Sequence, residues 1–185
     1  MQILVLTGSP HKEGTSNYLA EEFIRGARES GNDVIHIDVA HKDIKGCQGC
    51  NYCRSHKDNC FMKDGMDEIK ETILKADMVV LVTPLYFFGF SAQIKTAIDR
   101  LYVVNPILQS QDKYMMLFAT CNDMEESKVE PLISHYHALI NNFGWKNAGV
   151  VIAQGYNDRE SIRHTQYGNK VYKIGKSLTD TYTLG

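Results

Sequence analysis

Met78-Val79-Val80-Leu81-Val82 is a run of five apolar residues with no polar break. A strand with water on one face alternates apolar and polar residues. A strand that is apolar throughout is covered on both faces, as in a parallel sheet between layers of helices. Residues 3–6, 34–39, 113–119 and 148–153 read as four further strands. Between and after them, apolar residues recur at helical spacing: Leu19, Ala20, Phe23, Ile24 and Ala27, ending near Gly31; Met66, Ile69, Ile73 and Leu74; Ile94, Ala97, Ile98 and Leu101; Leu132, Ile133, Tyr136, Leu139, Ile140 and Phe143; and Val171, Ile174 and Leu178. Ser91 is placed to cap the third of these helices, and Ser127 with Glu130 has the form of a capping box opening the fourth. Five strands alternating with five helices make an open, doubly wound α/β sheet the economical solution, because parallel crossovers are right-handed. Ligands of such sheets bind beyond the C-terminal strand ends, where the strand order reverses. Chemistry is therefore expected in the loops that follow strands.

The 185 residues fit one domain, 1–185, interrupted by a cysteine-rich loop at about 46–62. Twenty basic against 22 acidic residues give a net charge of −2, and the basic ones are scattered, which excludes the electrostatic footprint of a nucleic-acid binder. No stretch approaches the roughly 18 apolar residues of a membrane span. The opening MQILVLTGSP has no cationic region, so it reads as a strand and not as a signal peptide. Five cysteines, an odd number, with four inside residues 47–60, argue against a secreted disulfide framework and for a cytoplasmic protein.

The loop after the first strand, Gly8-Ser9-Pro10-His11-Lys12-Glu13-Gly14-Thr15-Ser16-Asn17, combines glycines that admit close approach, hydroxyl donors and the unpaired N–H groups of a helix start. It is an anion site by construction. Thr15 stands where a nucleotide P-loop needs lysine, and the three close glycines of a dinucleotide site are missing, so a monophosphate fits better. After the third strand comes Thr83-Pro84-Leu85-Tyr86-Phe87-Phe88-Gly89-Phe90-Ser91-Ala92, with four aromatics in five residues at neither helical nor strand spacing. An apolar loop at the ligand edge suits a flat conjugated ring, and part of it is expected to meet a partner subunit. The two loops together point to a phosphorylated aromatic cofactor.

"GSPHKEGTSN" and "TPLYFFGFSAQIKTAIDRLY", each after its strand with a cysteine loop between them, resemble the flavodoxin-like NAD(P)H-dependent FMN reductases, in the branch that includes the iron–sulfur flavoproteins. The resemblance covers residues 1–103 well and the remainder by pattern. It implies a three-layer α/β/α sandwich with a five-stranded parallel sheet of order 2-1-3-4-5. It also implies FMN phosphate held by Ser9, His11, Thr15, Ser16 and Asn17, and the FMN ring lined by Pro84, Leu85, Tyr86 and Phe87. A third loop, with Thr120 and Asn122, contributes after the fourth strand. Relatives usually carry arginine where this chain has His11, a weaker phosphate ligand, so that occupancy becomes pH-sensitive unless Lys12 supplies the charge. Asp99 and Arg100 are expected to make structural ion pairs.

Cys47-x2-Cys50-x2-Cys53-x6-Cys60 resembles ferredoxin ligation, in which one short loop wraps a [4Fe–4S] cluster. Structural zinc more often draws its cysteine pairs from distant segments. Free or reversibly oxidised thiols are the remaining outcome. Cys121 stands apart from these four and reads as a small residue near the third loop. His135 and His137 lie on a helix and read as surface or interface residues.

The resemblance implies hydride transfer from NAD(P)H through FMN to a small acceptor: a quinone, flavin, nitroaromatic or metal. No side chain is required as general acid or base, because the redox chemistry belongs to the flavin. Two other readings stand beside it, an iron–sulfur flavoprotein electron carrier with FMN and a [4Fe–4S] cluster, and a thiol- or zinc-binding regulatory module. Relatives commonly dimerise or form tetramers, so at least a homodimer is expected.

Overall fold

The computed structural model describes residues 1–178. Strands β1 (Gln2–Thr7), β2 (Asp33–Asp38), β3 (Met78–Pro84), β4 (Tyr114–Cys121) and β5 (Lys146–Gln154) form one parallel sheet in the order β2-β1-β3-β4-β5. This is the expected order. The five amphipathic patterns fold as α1 (Thr15–Glu29), α3 (Met66–Lys75), α4 (Ala92–Arg100), α6 (Glu130–Phe143) and α8 (Gln166–Lys176). Three short helices join them: α2 (Tyr52–Ser55), α5 (Asn105–Leu108) and α7 (Arg159–Arg163). At four or five residues each they are too short to display a period in the sequence.

All seven residues of β3 are buried. Successive side chains of a strand point to opposite faces. Met78, Val80 and Val82 join Ile3, Val5, Met116 and Phe118 beneath Leu19, Phe23 and Ala27 of α1 and Val171 of α8. Val79 and Leu81 join Leu4, Leu6, Met115 and Leu117 on the other face, under Ile69 and Ile73 of α3, Ile94 and Ala97 of α4, and Leu132, Tyr136 and Ile140 of α6. Helices α1 and α8 touch backbone to backbone. A Cβ on Gly26 would stand 2.1 Å from the Tyr172 carbonyl oxygen, and one on Gly175 would stand 2.4 Å from that of Phe23.

The expected capping box does not form. Ser127 Oγ donates instead to the Glu125 carboxylate, residues Glu126–Lys128 make a one-turn 3-10 helix, and α6 begins at Glu130 with Pro131 in its first turn. Proline is at home there because its missing N–H has no intrahelical partner to lose. The expected Ser91 cap is present: its Oγ accepts from the Ile94 N–H at 3.5 Å.

Candidate functional site

The C-terminal ends of β1, β3, β4 and β5 open on one cleft of about 720 Å3. Four loops wall it: residues 9–15, 84–86, 120–122 and 156–159.

The first wall is shaped by its own hydrogen bonds. The His11 N–H donates to Ser9 Oγ at 3.2 Å, the Gly14 N–H donates to the His11 carbonyl at 2.9 Å, and Asn17 Nδ2 donates to the carbonyls of His11 (3.0 Å) and Lys12 (3.1 Å). Gly14 is required at this crossing, since a Cβ there would lie 2.8 Å from the His11 carbonyl oxygen. Helix α1 starts with no side-chain cap and no acidic residue in its first turn. The Tyr18 N–H bonds back to the Gly14 carbonyl at 3.1 Å, which leaves the N–H groups of residues 15–17 without intrahelical acceptors. Ser16 Oγ and Asn17 Oδ1 are buried with no hydrogen-bond partner.

The cradle is tied to its neighbours. Thr15 Oγ1 meets Thr120 Oγ1 at 2.8 Å, joining it to the end of β4. Ser91 Oγ donates to the Gly8 carbonyl at 2.7 Å, and the Ser91 N–H donates to Thr83 Oγ1 at 3.0 Å, joining it to the end of β3.

Of the residues expected at the site, Ser9, His11, Thr15, Pro84, Leu85, Tyr86, Thr120 and Asn122 line the cleft. Ser16 and Asn17, buried in the first turn of α1, are not among the residues that line it. Phe87 is not on the wall: it sits at the tip of a tight turn closed by paired Tyr86–Gly89 backbone bonds and is 99% exposed. Phe87 and Phe88 both take positive φ, 44° and 65°, a costly conformation for bulky residues that turns the tip out of the cleft. Cys121, read in the sequence as a small residue near the third loop, lines the cleft as well. Burial pushes its thiol pKa up, and its Sγ donates to the Asp123 carbonyl at 3.3 Å, so it serves as a neutral donor.

The fourth wall, Tyr156-Asn157-Asp158-Arg159, went unread in the sequence. Arg159 reaches from it to the carboxylate of Glu21 on α1 and to Glu13 of the first loop at 3.3 Å. Position alone could have found this wall, because it follows a strand as the other three do.

The four clustered cysteines lie elsewhere. Cys47, Cys50, Cys53 and Cys60 are free thiols on the wall of a second pocket of about 40 Å3, beside Arg100 and Tyr102. Among the described residues no three His, Cys, Asp or Glu side chains are grouped to hold a metal ion. Arg100 makes its expected ion pair, with Asp64 at 2.7 Å, and Asp99 pairs with Lys95 at 2.6 Å. His137 is exposed, whereas His135 is half-buried, edge-on to Phe90 at 5.0 Å, and burial lowers its pKa.

A sheet of this order, with a cleft at its C-terminal edge between a glycine- and hydroxyl-rich loop after β1 and an apolar loop after β3, defines a flavodoxin-like fold. Sequence comparison makes that specific. A model of the NADPH-dependent FMN reductase family matches residues 1–154, and the chain belongs to that family. An iron–sulfur flavoprotein of Archaeoglobus fulgidus is 27% identical over 187 residues, covering 96% of this chain and 81% of its own length. Another, of Methanocaldococcus jannaschii, is 36% identical over 100 residues, 54% of this chain and 51% of its own length, so the match spans about half of that relative. Among solved structures, an NAD(P)H:quinone oxidoreductase from Methanothermobacter marburgensis shares the fold, with a TM-score of 0.75 over 99% of both chains at 18% identity. Among the described residues no helix is long and apolar enough to cross a membrane.

Proposed function

We propose that the chain is an FMN-dependent NAD(P)H oxidoreductase that delivers reducing equivalents to a small acceptor: a quinone, free flavin, nitroaromatic or metal ion. The observation that carries this reading is the cradle itself. A buried Ser16 hydroxyl without a partner costs about 1–3 kcal/mol, a penalty that an anionic ligand at the helix start removes. FMN, when bound, supplies a ring that accepts and donates hydride.

The N–H groups of residues 15–17 and the hydroxyls of Ser9, Thr15 and Ser16 hold the phosphate, with His11 and Lys12 at the rim. Asn17 acts indirectly, because its amide N–H groups are committed to the loop carbonyls whose positions they fix. Pro84, Leu85 and Tyr86 supply the apolar wall for the ring, and Thr120 and Asn122 the polar one. A homodimer in the cytoplasm completes the reading. The exposed Phe87–Phe88 turn is the surface on which a second copy would bury apolar area.

The double substitution Ser9→Asp with Thr15→Asp tests the phosphate assignment. Two carboxylates facing a phosphate cost several kcal/mol, so FMN affinity should fall by more than about 100-fold. Flavin absorbance per chain after gel filtration reads the loss, and circular dichroism checks the fold. Flavin retained at the wild-type ratio would overturn the assignment.

A second reading, the iron–sulfur flavoprotein, has one observation in its favour: all four clustered cysteines face a single pocket. Anaerobic purification with iron and sulfide counted per chain decides it. Four irons per chain support the cluster, as expected for a [4Fe–4S] centre. Iron-free protein that retains FMN leaves the first reading standing alone.

A further inference from the structure

Besides His11, the basic side chains on the cleft wall are Lys12, from the first loop, and Arg159, from the fourth. Lys12 is exposed, where water and salt screen its ammonium. Arg159 is half-buried and held in place. It opens α7, which Asp158 caps by accepting from the Ser161 N–H at 2.8 Å and which fully buried Ile162 anchors to the core. From there the guanidinium reaches α1, with its carbon 5.5 Å from the centre of the Tyr18 ring. Nη1 donates to Glu21 Oε1 at 3.0 Å and Nη2 donates to Glu21 Oε2, a bidentate pair that sets the plane of the fork. Nη1 also stands 3.3 Å from Glu13 Oε2.

The two carboxylates are not equivalent. Glu21 engages both nitrogens and is not among the residues that line the cleft. Glu13 lines it, directly precedes Gly14 at the start of α1, and has a side chain that is 83% exposed. A contact so exposed contributes little, so a stronger anion displaces it readily. Beside it lie the N–H groups of residues 15–17, which lack intrahelical acceptors, and the Ser16 hydroxyl, 1% exposed and without a partner.

We propose that Arg159 is the counter-cation of the FMN phosphate and that Glu13 is its place-holder: the phosphate displaces the Glu13 carboxylate from the guanidinium while Glu21 keeps the fork oriented. This rests on the phosphate reading of the cradle and adds to it a charge supplied from the fourth wall. The planar fork that the first loop lacks, with His11 in place of arginine, comes instead from the loop after β5. A phosphate monoester carries about −1.5 to −2 charge at neutral pH, which makes it a better partner for the guanidinium than one exposed carboxylate.

The test titrates flavin-free, full-length protein with FMN and with riboflavin, which lacks the phosphate, and reads both affinities from flavin fluorescence. Wild type should prefer FMN by at least about 100-fold. Arg159→Gln should weaken FMN binding by about tenfold and leave riboflavin within about twofold, and Arg159→Lys should recover part of the loss. A merely structural arginine would weaken both flavins together. Glu13→Gln should tighten FMN binding by about threefold, because the phosphate loses its competitor. That gain should vanish in the Arg159→Gln background, whereas plain repulsion between Glu13 and the phosphate would persist there. Should Arg159→Gln fail to fold, Arg159→Lys, which keeps the charge and loses the fork, takes its place in the cycle. FMN affinity unchanged by replacement of Arg159 would overturn the counter-cation, and a gain that persists without Arg159 would overturn the place-holder. A wild type that binds riboflavin as tightly as FMN would instead sink the phosphate reading itself, so the two failures are distinguishable.

Discussion

Replacing Asp64 with alanine should destabilise the protein by about 3–5 kcal/mol, because it strands the Arg100 guanidinium without its counter-ion in a site where the two side chains are 2% and 4% exposed. Two further bonds are lost with it, from the N–H groups of Lys45 (3.1 Å) and Met66 (3.0 Å), so the neck of the cysteine loop and the start of α3 loosen together. Urea unfolding followed by circular dichroism measures the effect. A cost below about 1 kcal/mol would mean that water reaches the pair and screens it.

The same carboxylate carries a pH signature. Burial alone would raise the Asp64 pKa, but the hydrogen bonds from Arg100, Lys45 and Met66 outweigh it and hold the group below its ordinary value. A carboxylate with a depressed folded pKa contributes stability that is fully present above its unfolded pKa and is lost as pH falls through the folded value. The acid limb of the wild-type stability curve should therefore be steeper than that of Asp64→Asn, which has no carboxylate to protonate there.

The sheet was legible because burial on both faces leaves a plain trace: 78–82 could be little other than a central strand, and all of β3 is buried. Strand ends were read less sharply. The sequence placed the last strand at 148–153, but β5 runs from Lys146 to Gln154, through a register shift opposite Met115 and Met116 that Gly149 accommodates at φ 129°. A bulge leaves no periodic mark because one extra residue cancels the alternation that would announce it. The site divides in the same way. The cradle and the Pro84–Tyr86 wall were readable from glycines, hydroxyls and aromatics that no core could use. The Tyr156–Arg159 wall was not, since its polar residues look like any solvated turn until the sheet places them opposite the first loop. Phe87 shows the converse: the family resemblance put it with the ring-lining residues, and a backbone turn at positive φ sends it outward. The buried role of Asp64 left no trace in the sequence, because nothing in 100 consecutive letters tells which acid an arginine will meet.

Gly8→Val should strike the fold and the cradle together. A Cβ on Gly8 would lie 2.1 Å from Ile94 Cγ1 and 2.6 Å from Ser91 Oγ, both in the packed interior, and neither atom is the free end of a flexible chain. Ser91 is 0% exposed and already caps α4 while bonding the Gly8 carbonyl, so it cannot retreat without giving up both bonds. The strain moves the other way, pushing the first loop away from the end of β3 and widening the gap between the anion cradle and Pro84. Overpacking of this severity costs about 3 kcal/mol. A cradle displaced by a fraction of an ångström should also lose FMN affinity by tenfold or more (~1.4 kcal/mol). Gly46→Ala is the control: it adds the same kind of atom where nothing lies within 4 Å, and it should change neither quantity. Fluorescence titration of FMN and urea unfolding, run on both variants, separate the effects. If Gly8→Val bound FMN as tightly as Gly46→Ala does, the contact between the loops after β1 and β3 would not be what sets the cradle, and the joint role assigned to those loops would have to be abandoned.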